Sequence, residues 1–428
     1  MARMSSIDAA WYRMETSRSG ADIACLLQFD GVVEEARLRE LLSTRLLRHA
    51  RFRQRVAAAG SGLTLPSWQE EPPSLDWHFS RQALLGAHEL PGALDLLINE
   101  PLDFAHSPWR ARLFDLGADA SALFVQLHHC MGDGFALLDI LLSLAEGATA
   151  AQTSARREPA PRTRRAQLLE LLRRTPRTLA DLTYLLRLPF DPPSRLQSPL
   201  AGTRRIAWSD RVELARVSAL AHARHATIND VLMAAISCGL QRYLSERETP
   251  PGLLRAIVPV NLRPTVPQRG SVTGNWFGLV YVRLPLDAAD AERSLDRIHR
   301  AVGGIKHSEQ ALAALAVLAV LGRLPNPLDR IAQRILARKA SLVVSNVPGP
   351  RTPIQLAGCQ VRDVIFWVPH PSGLTCGISI FSYAGWIRIG VRTDVAAIAD
   401  PDKLARYVER ELADWCETSH VEQPTVSV

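Results

Sequence analysis

The apolar positions switch repeatedly between a period near two residues and a period near 3.6. After an amphipathic opening segment at 5–16, a short apolar run at 23–29 stops at Asp30-Gly31, as a buried strand does. Leu38, Leu41, Leu42 and Leu46 then recur at helical spacing within 33–49. Runs at 63–68 and 75–79 are short and strand-like, and 94–99 closes a further helix. A strand at 110–116 is approached through loop punctuation, Pro101-Leu102-Asp103-Phe104 and Pro108-Trp109. Next comes a β-type run at 122–127, the pair His128-His129, a turn at Gly132-Asp133-Gly134, and a helical run at 135–144.

Beyond residue 148 the pattern breaks. Ala, Arg and Pro dominate to about residue 198, and only two short helical pieces survive, at 166–174 and 178–188. Regular periodicity then resumes. A strand at 206–208 precedes a helix expected to start at Asp210, and Thr227 with Asp230 three residues later has the form of a capping box for a helix at 231–244. The capping role accounts for Asp230 locally. A strand over 255–262 meets Pro264, a turn spans 274–278, and a strand covers 279–286. Helices follow at 290–306, with Asp290 as N-cap, and at 308–321, an apolar stretch suited to a core or a tunnel wall. Strands at 341–346, 364–368, 374–383 and 386–392 and a helix at 401–415 complete the chain. Strands and helices mix without a regular βαβα rhythm, which predicts α+β layers rather than a doubly wound sheet.

A length of 428 residues exceeds one ordinary core. The break in pattern divides the chain into a first domain at 1–150, an Arg/Pro-rich linker at 151–200 and a second domain at 201–428. The longest uncharged apolar run, 311–322, falls short of the roughly 20 residues that span a bilayer. Nothing near the N-terminus reads as a secretory signal. Six scattered cysteines with no Cys-x-x-Cys fit reduced thiols rather than a zinc site, so the expected compartment is the cytoplasm.

The net charge of +7 is local. Nine arginines stand against three acids in 155–187. Interleaved with leucines on short helices, they suit the interface of an anionic bilayer; the alternative is a linker packed on the protein. No nucleic-acid-binding motif accompanies the basic segment. No Walker or Gly-x-Gly-x-x-Gly loop and no Gly-x-Ser-x-Gly elbow occurs, which disfavours nucleotide hydrolysis and that class of hydrolase.

The chemistry centres on His128, His129 and Asp133. A neutral imidazole is the side chain best matched to general-base work near pH 7. Adjacent histidines on a strand point to opposite faces, so a metal site built from both is awkward and none is expected. Cys130 has the two readings of nucleophile and small buried residue. Asp103 likewise stands as either a turn residue bonding its own backbone or a substrate contact.

His128-His129-Cys130-Met131-Gly132-Asp133-Gly134 resembles the His-His-x-x-x-Asp-Gly signature of bacterial wax ester synthase/diacylglycerol acyltransferases, members of the chloramphenicol-acetyltransferase-like, CoA-dependent acyltransferase superfamily. Further marks follow in the family's order: Ser6-Ile7-Asp8, Met14-Glu15-Thr16, Pro101-Leu102-Asp103, Thr227-Ile228-Asn229-Asp230-Val231, Val258-Pro259-Val260-Asn261-Leu262-Arg263, Gly274-Asn275 and Ser345-Asn346-Val347-Pro348-Gly349-Pro350. The chain departs from the family at Phe104 and at Ser107-Pro108-Trp109, where a basic residue and Pro-Leu-Trp are usual, which bears on acceptor choice.

The resemblance implies two domains of that fold with mixed sheets and a channel between them. It implies an O-acyltransferase that moves a long-chain acyl group from acyl-CoA to a diacylglycerol or fatty alcohol, without an acyl-enzyme. His129 is the implied base and His128 its support. Asp133 turns from the substrate toward the second domain, with Arg263 as its expected partner. Asn275 is placed at the reacting centre or oxyanion, Gly134 and Asp103 in substrate contact, and Asn229 and Asp230 in structural support. No cofactor is implied, acyl-CoA being a substrate, and the implied location is the inner face of the membrane. One rival is a condensation-domain-like transferase with a carrier-protein-bound donor; another is a non-catalytic lipid binder. Nothing in the sequence bears on oligomeric state.

Overall fold

The computed structural model describes residues 2–58, 64–72, 74–146, 164–262, 274–288, 290–306 and 308–421. Two large sheets organise them. The first runs Gln355–Leu356, Cys359–Trp367, Asp22–Asp30, Ala120–His128, Trp109–Asp115, Phe79–Ala83 and is antiparallel except for its last pair. The second runs Phe277–Pro285, Leu253–Asn261, Leu342–Pro348, Cys376–Tyr383, Trp386–Asp394, Arg204–Trp208. Its middle three strands are parallel and its flanks antiparallel, with Val212–Glu213 on Trp386–Asp394. A small third sheet joins Ala2–Arg3, Ser67–Glu70 and Gln54–Ala57.

The division of the chain does not follow the sheets throughout. Cys359–Trp367 lies deep in the second half of the sequence, yet it pairs with Asp22–Asp30 and completes the first sheet. The domain expected over 201–428 therefore lends a strand to its neighbour. The two halves are further tied by Arg392, wholly buried, whose guanidinium donates to the carboxylate and the carbonyl of Asp22 at 2.7–3.3 Å.

Ala120–His128 is buried on both faces, which explains its nearly continuous apolar character. Ala122 and Phe124 pack against Leu90 and Leu94 of the helix Leu90–Leu97, while Leu123 and Leu127 face the larger core. The alternation carries to its end: His128 continues the Phe124 face, and His129, the first residue past the strand, turns the other way.

Several expectations shift. A short helix, Leu75–His78, replaces the strand expected there, with the strand Phe79–Ala83 following. Asp210 caps no helix; Val212–Glu213 pairs with Ile387 and Trp386 first, and the helix is Leu214–Ala223. The two helical pieces of the basic segment form one helix, Arg164–Arg187, which runs through Pro176. The helix Asn326–Ala337 has no counterpart in the sequence reading. Its Pro327 sits in the first turn, where a missing N–H costs no hydrogen bond. The Thr227 capping box forms as expected, each partner accepting from the other's backbone N–H at 2.9 and 3.2 Å. Asp290 accepts from Arg293 N, the N-cap role read for it.

Candidate active site

The site is assembled from the first helix, the end of Ala120–His128, and the turn before Phe277–Pro285. Ser5 caps the helix Ser6–Met14 by accepting from Asp8 N at 3.0 Å. That helix lies on the end of Gln310–Leu321, at an approach only glycine allows: a Cβ on Gly322 would fall 1.6 Å from Ser6 O. Asp8, Trp11 and Glu15, spaced by three and four residues, thereby reach the histidines.

His129 is buried. Trp11 stacks on its ring, with centroids 3.8 Å apart and planes 7° from parallel, and the Phe277 ring lies 5.5 Å away. Its backbone N–H donates to Ala21 O at 2.8 Å. Burial pushes the imidazole down to about 4, with Asp133 pulling partly the other way, so the ring is neutral at pH 7. Nδ1 is sealed without a hydrogen-bond partner among the described residues, which leaves Nε2 to meet a group in the cavity.

His128 faces the opposite way and is completely buried. Its Nδ1 accepts from Cys130 N at 3.1 Å, and its Nε2 lies 2.8 Å from Glu15 Oε2, off the line of the ring N–H. Burial works against a charged ring, while Cys130 and the Glu15 carboxylate work for one. The Cys130 N–H requires a bare Nδ1, so while that bond holds the single ring proton sits on Nε2 toward Glu15. Cys130 is a fully buried core residue and does not line the cavity, which removes the nucleophile reading.

Asp133 caps the helix Gly134–Leu144: Oδ1 accepts from Phe135 N and Ala136 N at 3.1 and 2.9 Å. Oδ2 accepts from Trp276 N, at 2.9 Å, across the two halves of the chain. The expected turn toward the second half is thus made through a backbone amide of Trp276, a residue the sequence reading left without a role. Arg263, the expected partner, lies outside the described residues.

Asn275 stands elsewhere than expected. Both protons of its amide nitrogen are engaged, one by Asp8 Oδ1 and one by His129 O, each at 2.8 Å. It anchors the backbone of His129, and neither amide proton is left to offer to an oxyanion. Asp103 is exposed, accepts from Ala105 N at 2.8 Å, and does not line the cavity: the turn reading holds and the substrate-contact reading does not. Asn229 accepts from Asn346 at 3.4 Å, and the buried Asp230 takes a second contact from His299 at 2.9 Å beyond its capping bonds.

The His129 cavity is walled by Trp11, Phe277, Leu279, Val317, Leu318 and Leu336 among others. A second cavity is lined by apolar side chains such as Leu38, Leu42, Val125, Leu138 and Leu141. The two share Ile23, Gly134, Val347 and Phe366. Gly134 stands at that junction, and a Cβ there would come within 3.4 Å of Val347. Gly134, expected in substrate contact, lines both cavities.

The wax ester synthase/diacylglycerol acyltransferase catalytic-domain model matches residues 4–232, and the corresponding C-terminal-domain model matches 273–415. The chain belongs to the wax ester synthase/diacylglycerol acyltransferase family. Proteins of Mycobacterium bovis and Mycobacterium tuberculosis named as diacylglycerol O-acyltransferases are each 28% identical over 447 residues, covering 96% of this chain and 95% of theirs. The wax ester synthase/diacylglycerol acyltransferase of Marinobacter aquaeolei VT8 superposes with a TM-score of 0.72 at 20% identity, over 98% of this chain and 100% of that one. The first condensation domain of the CDA synthetase gives 0.62 at 19% identity, over 97% and 95% of the two chains. The two-domain fold expected of the family is therefore present. Trp11, Asp8 and Glu15 are the site residues that the sequence reading missed; their signal was the i, i+3, i+7 spacing on the amphipathic opening segment.

Proposed function

We propose that this family member transfers an acyl group from acyl-CoA to the hydroxyl of a water-insoluble alcohol, a diacylglycerol or a long-chain fatty alcohol. The observation that carries the reading is a neutral imidazole, His129, set beside the junction of two apolar cavities. His129 takes the proton of the bound alcohol. The alkoxide attacks the thioester carbonyl, the C–S bond breaks, and the thiolate leaves and takes the proton back from His129; a thiol pKa of about 8.5 makes it a far better leaving group than an alkoxide. General-base assistance of this kind is worth about 10²–10⁴-fold. Two apolar rooms supply separate space for the donor's chain and the acceptor's chain. The reaction so written calls for no cofactor.

The test is thiol release by purified protein given palmitoyl-CoA with hexadecanol or with dipalmitoylglycerol. Release with one or both supports the reading, and no release with either overturns it.

The same reading includes peripheral attachment to the inner face of the membrane. Among the described residues no single helix is long and apolar enough to cross a bilayer. Leu328, Ile331 and Ile335 of Asn326–Ala337, Val320 of Gln310–Leu321 and Leu186 of Arg164–Arg187 are exposed, on helices whose inner faces wall the His129 cavity. Replacing Leu328, Ile331 and Ile335 together by serine should weaken co-sedimentation with anionic vesicles. Unchanged binding overturns the attachment through this face.

A further inference from the structure

A second opening leads to the His129 cavity, and its character is different. It is an open cleft that shares Met14, Gln333, Ala337, Ser372 and Leu374 with the wall of the cavity. Arg18 stands on one side. Arg330, Arg334 and Arg338 stand on the other, spaced by four residues and so aligned on one face of Asn326–Ala337 and its C-terminal extension. All four are exposed, none has an ion-pair partner among the described residues, and the cleft is lined by no aspartate or glutamate; Arg338 lies over the Phe190 ring, 4.8 Å from its centroid. The adjacent acid, Asp329, is buried and accepts from Gln333 at 2.7 Å.

Three like charges at i, i+4 and i+8 repel one another, and an isolated helix would be more stable without them. Here they converge with a fourth at the mouth of a passage to the catalytic base. A guanidinium offers a planar fork of donors that matches phosphate oxygens in pairs. The residues shared by cleft and cavity, Met14, Gln333, Ala337, Ser372 and Leu374, by contrast carry no charge.

We propose that this cleft is the docking site for the phosphates of the acyl-CoA donor. The arginines hold the nucleotide end at the surface, and the uncharged pantetheine arm runs past Met14, Gln333 and Leu374 to bring the thioester to His129. The proposal rests on the acyl-CoA reading above and adds to it the side of approach: the donor enters beside Asn326–Ala337. An anionic membrane is the competing occupant, but a cleft that continues into the catalytic cavity fits a single polyanion with a long arm better than a flat sheet of headgroups.

The test compares the wild type with Arg330→Glu/Arg334→Glu, a change at two exposed positions. KM is measured for palmitoyl-CoA and for palmitoyl-pantetheine, which carries the thioester without the nucleotide. Adenosine 3′,5′-bisphosphate binding and vesicle binding are measured on the same proteins. Losing two charge-assisted contacts should raise KM for palmitoyl-CoA at least about tenfold, leave palmitoyl-pantetheine unchanged and abolish nucleotide binding. Equal losses on both donors would show a role other than phosphate recognition and overturn the proposal. So would unchanged KM with unchanged nucleotide binding, and so would lost vesicle binding with unchanged KM, which would assign the arginines to a membrane. If the wild type turns over neither donor, the acyltransfer reading fails separately, and nucleotide binding by wild type but not by the variant still tests the cleft.

Discussion

The sheet face beneath His128 and the cavity around His129 are one residue apart in sequence and opposite in chemistry. Under His128 the neighbours are polar: Cys130 N–H donates to one ring nitrogen, Glu15 faces the other, and Gln126 on the same face donates to Asp22 at 3.0 Å. Around His129 rings and aliphatic carbons dominate, with Trp11 flat against the imidazole and Asp133 the charged group that acts on it. Strand alternation sends the two side chains to these different surroundings. The proposed reaction moves a proton only in the second.

The largest effect should divide along that line. His129→Ala should lower turnover by about 10²–10⁴-fold while the melting temperature changes little, since it frees no buried hydrogen-bonding partner. His128→Ala should instead strand the buried Cys130 N–H, while Glu15 keeps the Ala21 N–H, costing roughly 1–3 kcal/mol, with a smaller loss of rate. Parallel kinetics and thermal melts decide it; equal rate losses with equal stability would erase the distinction.

Asp133→Ala cuts across both regions. It removes an N-cap, worth about 0.5–2 kcal/mol, and leaves Trp276 N–H without its acceptor. Stability should fall by about 1–3 kcal/mol, and rate should fall with it, because the Trp276 turn also presents Asn275 to the His129 carbonyl. A variant that melts like the wild type would show that the cap and the bridge are unimportant.

Much of this arrangement was legible before any coordinates, and the exceptions have physical causes. The opposed histidines follow from strand parity alone, and the Thr227–Asp230 box from local hydrogen-bonding chemistry. The pairing of Cys359–Trp367 with Asp22–Asp30 was not legible, because partners more than three hundred residues apart leave no trace in periodicity. Helix Asn326–Ala337 was hidden by Pro325 and Pro327, which look like loop punctuation until one sits in the first turn. Asp210 looked like a cap because residue type alone does not reveal that the next residues pair with Trp386 and Ile387. Asn275 was assigned to the reacting centre because a motif names a residue and not the direction of its amide.

Trp11 covers one face of the His129 ring. With burial holding the base down to about 4, the acid limb of kcat/KM should lie near pH 4, and activity should be flat from about pH 5 upward until other groups intervene. Trp11→Leu admits water and should move that limb up toward about 6.5, with a rate loss of roughly ten- to hundredfold from a less constrained ring. The stability sign is fixed as well. Because the folded value lies below the unfolded one, the unfolded state binds the extra proton first as pH falls. His129 therefore destabilises the fold progressively from about pH 6.5 down to about 4, and Trp11→Leu should relieve part of that loss. An acid limb that stays near pH 4 in the variant would mean that Trp11 does not keep water from the base.

The smallest expected effect concerns a residue outside both regions. Asp103 sits in the conspicuous Pro-Leu-Asp stretch, and its neighbour Phe104 packs edge-on against His128 with ring centroids 5.0 Å apart. Its own carboxylate points away from the chemistry: it is exposed and spends one oxygen on Ala105 N. Asp103→Ala should therefore change stability by no more than about 1 kcal/mol and leave kcat and KM for both substrates where they are. Asp103→Asn, which keeps an oxygen acceptor for Ala105, should recover most of any stability lost. A KM change of tenfold or more for the acceptor in Asp103→Ala, unrepaired in Asp103→Asn, would bring this loop into the substrate path and extend the His129 region to a surface the present geometry leaves outside it.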